Sequence, residues 1–184
     1  MKNTRGMTLT ELMVVLLLLS IMLAIFYAMA DTMQSMTNSQ EALIVTRDEG
    51  RQAVRAMVRD LRNASTGSIN WGGMPLDTLS YRVATDLDGN GLAVDVDGNL
   101  ELSGVRTIGP DVDDINGDTL TTTQLIWSDG ATTRVLTSSL APVNGIQFDQ
   151  VGPGLRISVT TQHQASVHGP MLQATLNEII VPRN

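Results

Sequence analysis

The stretch "RGMTLTELMVVLLLLSIMLAIFYAMA", residues 5–30, decides how the rest of the chain is read. Its last nineteen residues, 12–30, carry no charge. As a helix they would span about 29 Å, close to the roughly 30 Å hydrocarbon thickness of a bilayer. Lys2 and Arg5 precede the run and Asp31 is the first charge after it, so the positive-inside rule keeps the N-terminus cytoplasmic and the remainder outside. Glu11 opposes that insertion. An ionised group near a bilayer core costs roughly 3 kcal/mol on insertion scales, and such a residue is by default a functional-site candidate.

On pattern alone the segment has two readings. One is a plain signal anchor. The other is a secretory signal peptide with Ala28-Met29-Ala30 as an A-x-A site, releasing a calcium-binding β domain that begins at Asp31. Glu11 and a run longer than the roughly 7–15 residues of such a region weigh against the second.

A third reading comes from resemblance. Arg5-Gly6, then Met7-Thr8-Leu9-Thr10-Glu11-Leu12, then an apolar run, resembles the class III leader of type IV pilins and of the related type II secretion pseudopilins. The resemblance implies that a prepilin peptidase cuts after Gly6 on the cytoplasmic side and methylates the new amine of Met7. It makes Glu11 the fifth mature residue, where the family places a glutamate; Met7 stands where phenylalanine is commoner. It further implies that the Glu11 carboxylate meets the charged N-terminal amine of a neighbouring subunit. That is physically sensible, because a buried charge is tolerated only when paired. A Glu11 simply solvated at the interface is the alternative, since side chains near helix ends reach water. The partners implied are the prepilin peptidase and other minor and major pilins or pseudopilins. The location implied is the inner membrane, with the head outside, and a filament tip after assembly.

No proline occurs before Pro75, and Gly50 is the only glycine between Gly6 and Gly67. One helix can therefore run from about residue 9 to about residue 64, about 80 Å. Its second half puts Val54, Met57, Val58, Leu61 and Ala64 on one face. Arg47, Arg51, Arg55 and Arg59, four apart, line another. Like charges at that spacing repel by a few tenths of a kcal/mol per pair, and Asp48, Asp60 or acids on a neighbouring subunit would offset them. Residues 63–67, Asn-Ala-Ser-Thr-Gly, supply stop chemistry, with Gly67 as the C-terminal cap.

Beyond Gly67 the period changes to alternation. Residues 79–85, 119–127, 132–137, 145–148, 155–161 and 172–180 read as strands, with turn signals at 128–130, 144–145 and 152–154. The expected fold class is α+β, a long N-terminal helix, transmembrane then amphipathic, packed on an antiparallel β-sheet head as in pilins. The expected organisation is a leader at 1–6, a transmembrane segment at 7–30, a stalk at 31–66 and a head at 67–184. "RQAVRAMVRDLRNA", "TLTTTQLIWSDGATTRVLTSSLAPVNGIQF", "GLRISVTT" and "EIIVPRN" together resemble the minor pilins of the PilW type and the minor pseudopilins of the GspJ type. Ala28 at mature position 22, in place of a proline, and the lack of any cysteine pair point the same way. The function implied is structural, priming assembly of a type IV pilus or type II secretion filament or capping it.

The net charge of −7 argues against nucleic acid, which selects a basic surface. The charge is unevenly spread. Residues 86–129 hold ten acids and one base, Arg106, whereas residues 47–62 hold five arginines. "DLDGNGLAVDVD", residues 86–97, fits the start of a calcium loop through Asp86, Asp88, Asn90 and Gly91, with Asp97 at the twelfth position. Strand-like flanks make it a loop site and not an EF-hand, and plain hairpin turns are the alternative. "DVDDINGD", residues 111–118, is a second carboxylate cluster. No nucleophile elbow, H-E-x-x-H or phosphate-binding glycine loop is present. His163 and His168, five apart, would face opposite ways in a strand, and Ser128-Asp129 reads as a turn. No enzymatic activity is expected.

Overall fold

The computed structural model describes residues 8–165 and 169–182. Gly6, Met7 and His168 lie outside the described residues. The chain divides into two compact units, 1–41 and 42–184. Helix α1 (Leu9–Leu61) contributes to both.

α1 stops three residues before the expected end. Asn63 N–H and Ala64 N–H bond back to the carbonyls of Asp60 and Leu61, tightening the last turn. Ala64 then bridges to Val83, and Ser65 N–H donates to the Arg82 carbonyl. Those strand-like bonds take the chain out of the helix without a left-handed glycine. The expectation for Gly67 is therefore corrected: it lies inside a short 3-10 turn (Thr66–Ser68) and has no positive φ.

The second unit holds two antiparallel sheets where one was expected. The first has the order β1 (Leu79–Tyr81), β2 (Arg106–Pro110), β3 (Leu125–Ser128), β4 (Thr133–Thr137). The second has β5 (Ile146–Val151), β6 (Gly154–Gln164) and β7 (Met171–Ile180). Leu76 and Phe148 exchange backbone hydrogen bonds of 2.9 and 2.7 Å, which join the segment before β1 to β5. β2 was not expected, because its sequence Arg-Thr-Ile-Gly-Pro contains two residues that strands disfavour. Conversely, the threonine-rich run expected as a strand over 119–127 is strand only from Leu125. Thr119 and Thr122 have φ of 69° and 64°, and Thr122 N–H bonds back to the Asp111 carbonyl. The local loop closure wins over β-propensity there.

α1 seats Ala53, Val54, Met57 and Leu61 against Leu79, Tyr81, Ile108, Leu125, Phe148, Leu155, Ile157 and Val159 in one buried cluster. The expected apolar face is thus the seated face, with Val58 at its partly buried edge. Farther back, Thr161 Oγ1 donates to the Thr46 carbonyl at 2.8 Å. Gly50 lets helix and sheet approach: a Cβ built there would sit 2.8 Å from Leu176 Cδ1 and 3.2 Å from Thr161 Oγ1. Helix interiors disfavour glycine by about 1 kcal/mol, so close packing accounts for its presence. Gly50→Leu is expected to destabilise the protein by about 2 kcal/mol through overpacking. Thermal unfolding followed by circular dichroism checks this; an unchanged midpoint would mean that helix and sheet stand apart at this point.

Candidate functional site

The start of α1 is built by a reciprocal cap. Thr8 is the residue before the helix, and its N–H and Oγ1 both donate to Glu11 Oε2 at 2.9 Å. Glu11 N–H in turn donates to Thr8 Oγ1 at 3.3 Å. This is a capping box, T-x-x-E, which satisfies donors that every helix N-terminus leaves orphaned. The T-x-x-E spacing before an apolar run is itself a helix-start signal in the sequence. Glu11 Oε1 makes no hydrogen bond among the described residues.

Over residues 12–30 the helix presents apolar side chains to its surroundings on every side; Phe26 and Tyr27 are 76% and 79% exposed. The hydroxyls of Ser20 and Thr32 bond within the helix, Ser20 Oγ to the Leu17 carbonyl and Thr32 Oγ1 to the Ala28 carbonyl. This suits hydrocarbon, where an unsatisfied polar group is costly. By length and composition α1 can cross a membrane.

Residues 1–27 match the family model of the prokaryotic N-terminal methylation motif. The motif covers the basic leader, Gly6, Met7, Glu11 and the first part of the apolar segment, and it supports a type IV pilin-like precursor. No curated protein and no solved structure is similar enough to the chain to count as a match.

The motif leaves the head loops untouched, and these hold the candidate cation ligands. Asp86 accepts from Gly89 N–H at 2.7 Å and from Gly91 N–H at 2.8 Å, and Asp88 accepts from the backbone and side chain of Asn90. Carboxylate oxygens of Asp86, Asp88 and Glu101 all lie within 4.8 Å of one another. Asn90 is therefore beside the group through Asp88. Asp97 instead belongs to a separate turn, where Asp95 accepts from the N–H groups of Asp97 and Asn99. Glu101, which the sequence pattern does not single out, is brought in because Leu87 N–H donates to its Oε2 at 2.5 Å. The backbone N–H of Gly91 leads in holding the Asp86 carboxyl below its usual pKa, and that of Asn99 does the same for Asp95.

In the second acidic loop Asp111 is buried, with one oxygen accepting from Ile115 N–H at 2.8 Å and Oδ2 without a partner among the described residues. Asp118 accepts from Gln124 Nε2 and Asn116 Nδ2, which closes the loop on itself. His163 is exposed on β6, opposite Leu172. Ser128 and Asp129 form the β3–β4 turn, Asp129 accepting from the N–H groups of Ala131 and Thr132.

One cluster was not visible in the sequence. Asp60 on α1 accepts from Tyr81 OH, from Trp127 Nε1 at 2.8 Å and from the Arg106 guanidinium at 2.7 Å. Arg106 and Arg134 also stack on Trp127, 5.5 and 5.3 Å from the ring centroid. Burial, followed by the Asp60 carboxylate, raises the Tyr81 phenol well above its ordinary pKa. The cluster fastens α1 to β1, β2 and β3. Its only sequence signal is an acid at the border of the helix's apolar face.

Proposed function

We propose that the chain is the precursor of a pilin-like filament subunit, cut after Gly6, methylated at Met7 and held in the membrane by residues 12–30 until it is assembled. The observation that carries the proposal is the methylation motif over residues 1–27, continuous with an apolar helix whose side chains are unburied. Glu11 then pairs with the amine of a neighbouring subunit. The finer reading is a minor subunit of the PilW or GspJ type that primes or caps a type IV pilus or type II secretion filament. Loose head patterns and the absence of a cysteine pair support it. The work is structural and requires no reaction at the head. Mass spectrometry of the mature protein from membranes tests the proposal. A chain beginning at methylated Met7 is expected; a chain beginning at Asp31 would sink it and favour a secreted domain.

A second reading concerns the head alone. Asp86, Asp88 and Glu101, with Asn90 beside them, offer the hard oxygen donors that calcium takes. Added calcium is expected to raise the unfolding temperature of the intact protein, and Asp86→Asn with Asp88→Asn to abolish the rise. Equal response in the double variant would place the ion elsewhere, and no response in the parent would dismiss it.

A further inference from the structure

Two charged surfaces of the second unit are opposite in sign. Arg47, Arg51, Arg55 and Arg59 are exposed on α1, and Arg62 is exposed in the turn that directly follows it. At about 100° per residue they share an arc of about 120°, away from the seated Thr46, Gly50, Met57 and Leu61. Among the described residues only Arg51 has a carboxylate within reach, Asp48 at 3.7 Å, and an exposed pair of that kind contributes little. Residues 86–101 hold five acids, Asp86, Asp88, Asp95, Asp97 and Glu101, and no base. Apolar side chains accompany both surfaces. Leu87, Leu92 and Val96 are exposed on the loop, Val96 by 92%, and Ile44 is 60% exposed on the arginine arc.

Their placement matters as much as their charge. An open cleft of about 510 Å³ lined by Asn63, Ala64, Ser65, Leu92, Val94 and Leu100 sets the acidic loop beside the end of α1. The arginine row runs back from that end by about 22 Å. The acids of one molecule thus stand at one end of its own arginine row and leave the remainder of it uncovered. A neighbour displaced along the helix axis can cover it.

We propose that the acidic loop 86–101 of one molecule docks on the arginine face 47–62 of a second copy of this chain. The contact is head-to-tail, so each joined pair keeps one free surface of each kind and the contact can propagate; it also serves for as few as two copies, as a priming pair needs. This deepens the filament-subunit reading and rests on it.

The chain has no cysteine, so oxidative cross-links between copies of it report only introduced thiols. Two tagged full-length versions, one with Gln52→Cys beside the arginine face and one with Val96→Cys on the loop, are co-expressed and oxidised in isolated membranes. The mixed dimer is expected to exceed either homodimer by about fivefold or more. It is expected to fall by a similar factor when salt rises from about 0.1 to about 1 M, which shortens the screening length from roughly 10 to roughly 3 Å. Arg51→Glu with Arg55→Glu on the Gln52→Cys version should abolish it, and Asp88→Lys with Asp97→Lys on the other should restore it, which also shows that the variants fold. Homodimers in equal yield, no mixed dimer, or a cross-link to a different protein in its place would overturn the proposal. The N-terminus is read on the same samples. A missing mixed dimer in chains that begin at Met7 overturns this contact and leaves the filament reading standing, whereas chains that do not begin at Met7 overturn the filament reading itself.

Discussion

Chains carrying Glu11→Leu are expected to insert and to be cut after Gly6 as the parent is, yet to reach filaments at a level lower by about tenfold or more, the ratio that corresponds to ~1.4 kcal/mol. The physical reason is a difference between two states. In the membrane the carboxylate lacks a countercharge, and in the filament it gains one, so the pairing favours incorporation; leucine feels no such difference. The capping box supplies a control that charge arguments alone would not. Glutamine at the third helical position can also close such a box, so Glu11→Gln retains the helix start seen at Thr8 while removing the charge. It should fail as Glu11→Leu does. Immunoblots of sheared filaments against membranes decide the matter. Normal incorporation of Glu11→Gln beside failure of Glu11→Leu would assign the role to the cap, and normal incorporation of both would dismiss the pairing.

Asp60→Ala should destabilise the protein by about 3 kcal/mol, near the lower end of the cost of removing one partner from a buried ionic cluster. Asp60 and Arg106 keep about a quarter of their side-chain exposure, which places the value at that end. Three donors lose one acceptor: Tyr81 OH, Trp127 Nε1 and Arg106. Trp127 can still bond Tyr81 OH at 3.0 Å, whereas the phenol itself is left without the carboxylate. For a chain of this length the midpoint should drop by about 6–12 °C. The pH response carries a second signature. Because the folded state holds the Tyr81 proton more tightly than the unfolded state does, this stabilisation is full below about pH 10 and is lost as pH climbs beyond it. The loss should be shallower in Asp60→Ala, since one cause of the raised pKa has gone. A midpoint within about 2 °C of the parent would reduce the cluster to a surface contact.

The parts of this molecule that could be read from its sequence are those where one physical rule governs many consecutive residues. The uncharged run at 12–30 answers to bilayer thickness, and the face of Val54, Met57 and Leu61 answers to helical period. β6 alternates between buried and half-buried positions along most of its length, so its period of two is plain. Elsewhere single contacts decide. Residues 119–124 have strand-like composition, but Asp111 and Leu140 claim their backbone groups. β2 is a strand because β1 and β3 flank it, despite its glycine and proline. Of the candidate cation ligands, Asp86 and Asp88 are local in sequence and were legible; Glu101 arrives from across the loop. Asp60, Tyr81 and Trp127 are 21 and 67 residues apart in the pairs that join them, and no local pattern encodes their meeting.

The way α1 is seated also has a mechanical meaning. The Thr161 bond to the Thr46 carbonyl, the close approach at Gly50, the burial of Met57 and the Asp60 cluster follow one another along about four turns of a single helix. A pull along the axis of α1 strains all of them at once, as shear, where a sideways pull would peel them one by one. The grip of the head on its helix therefore grows with the length seated and resists tension best along the axis.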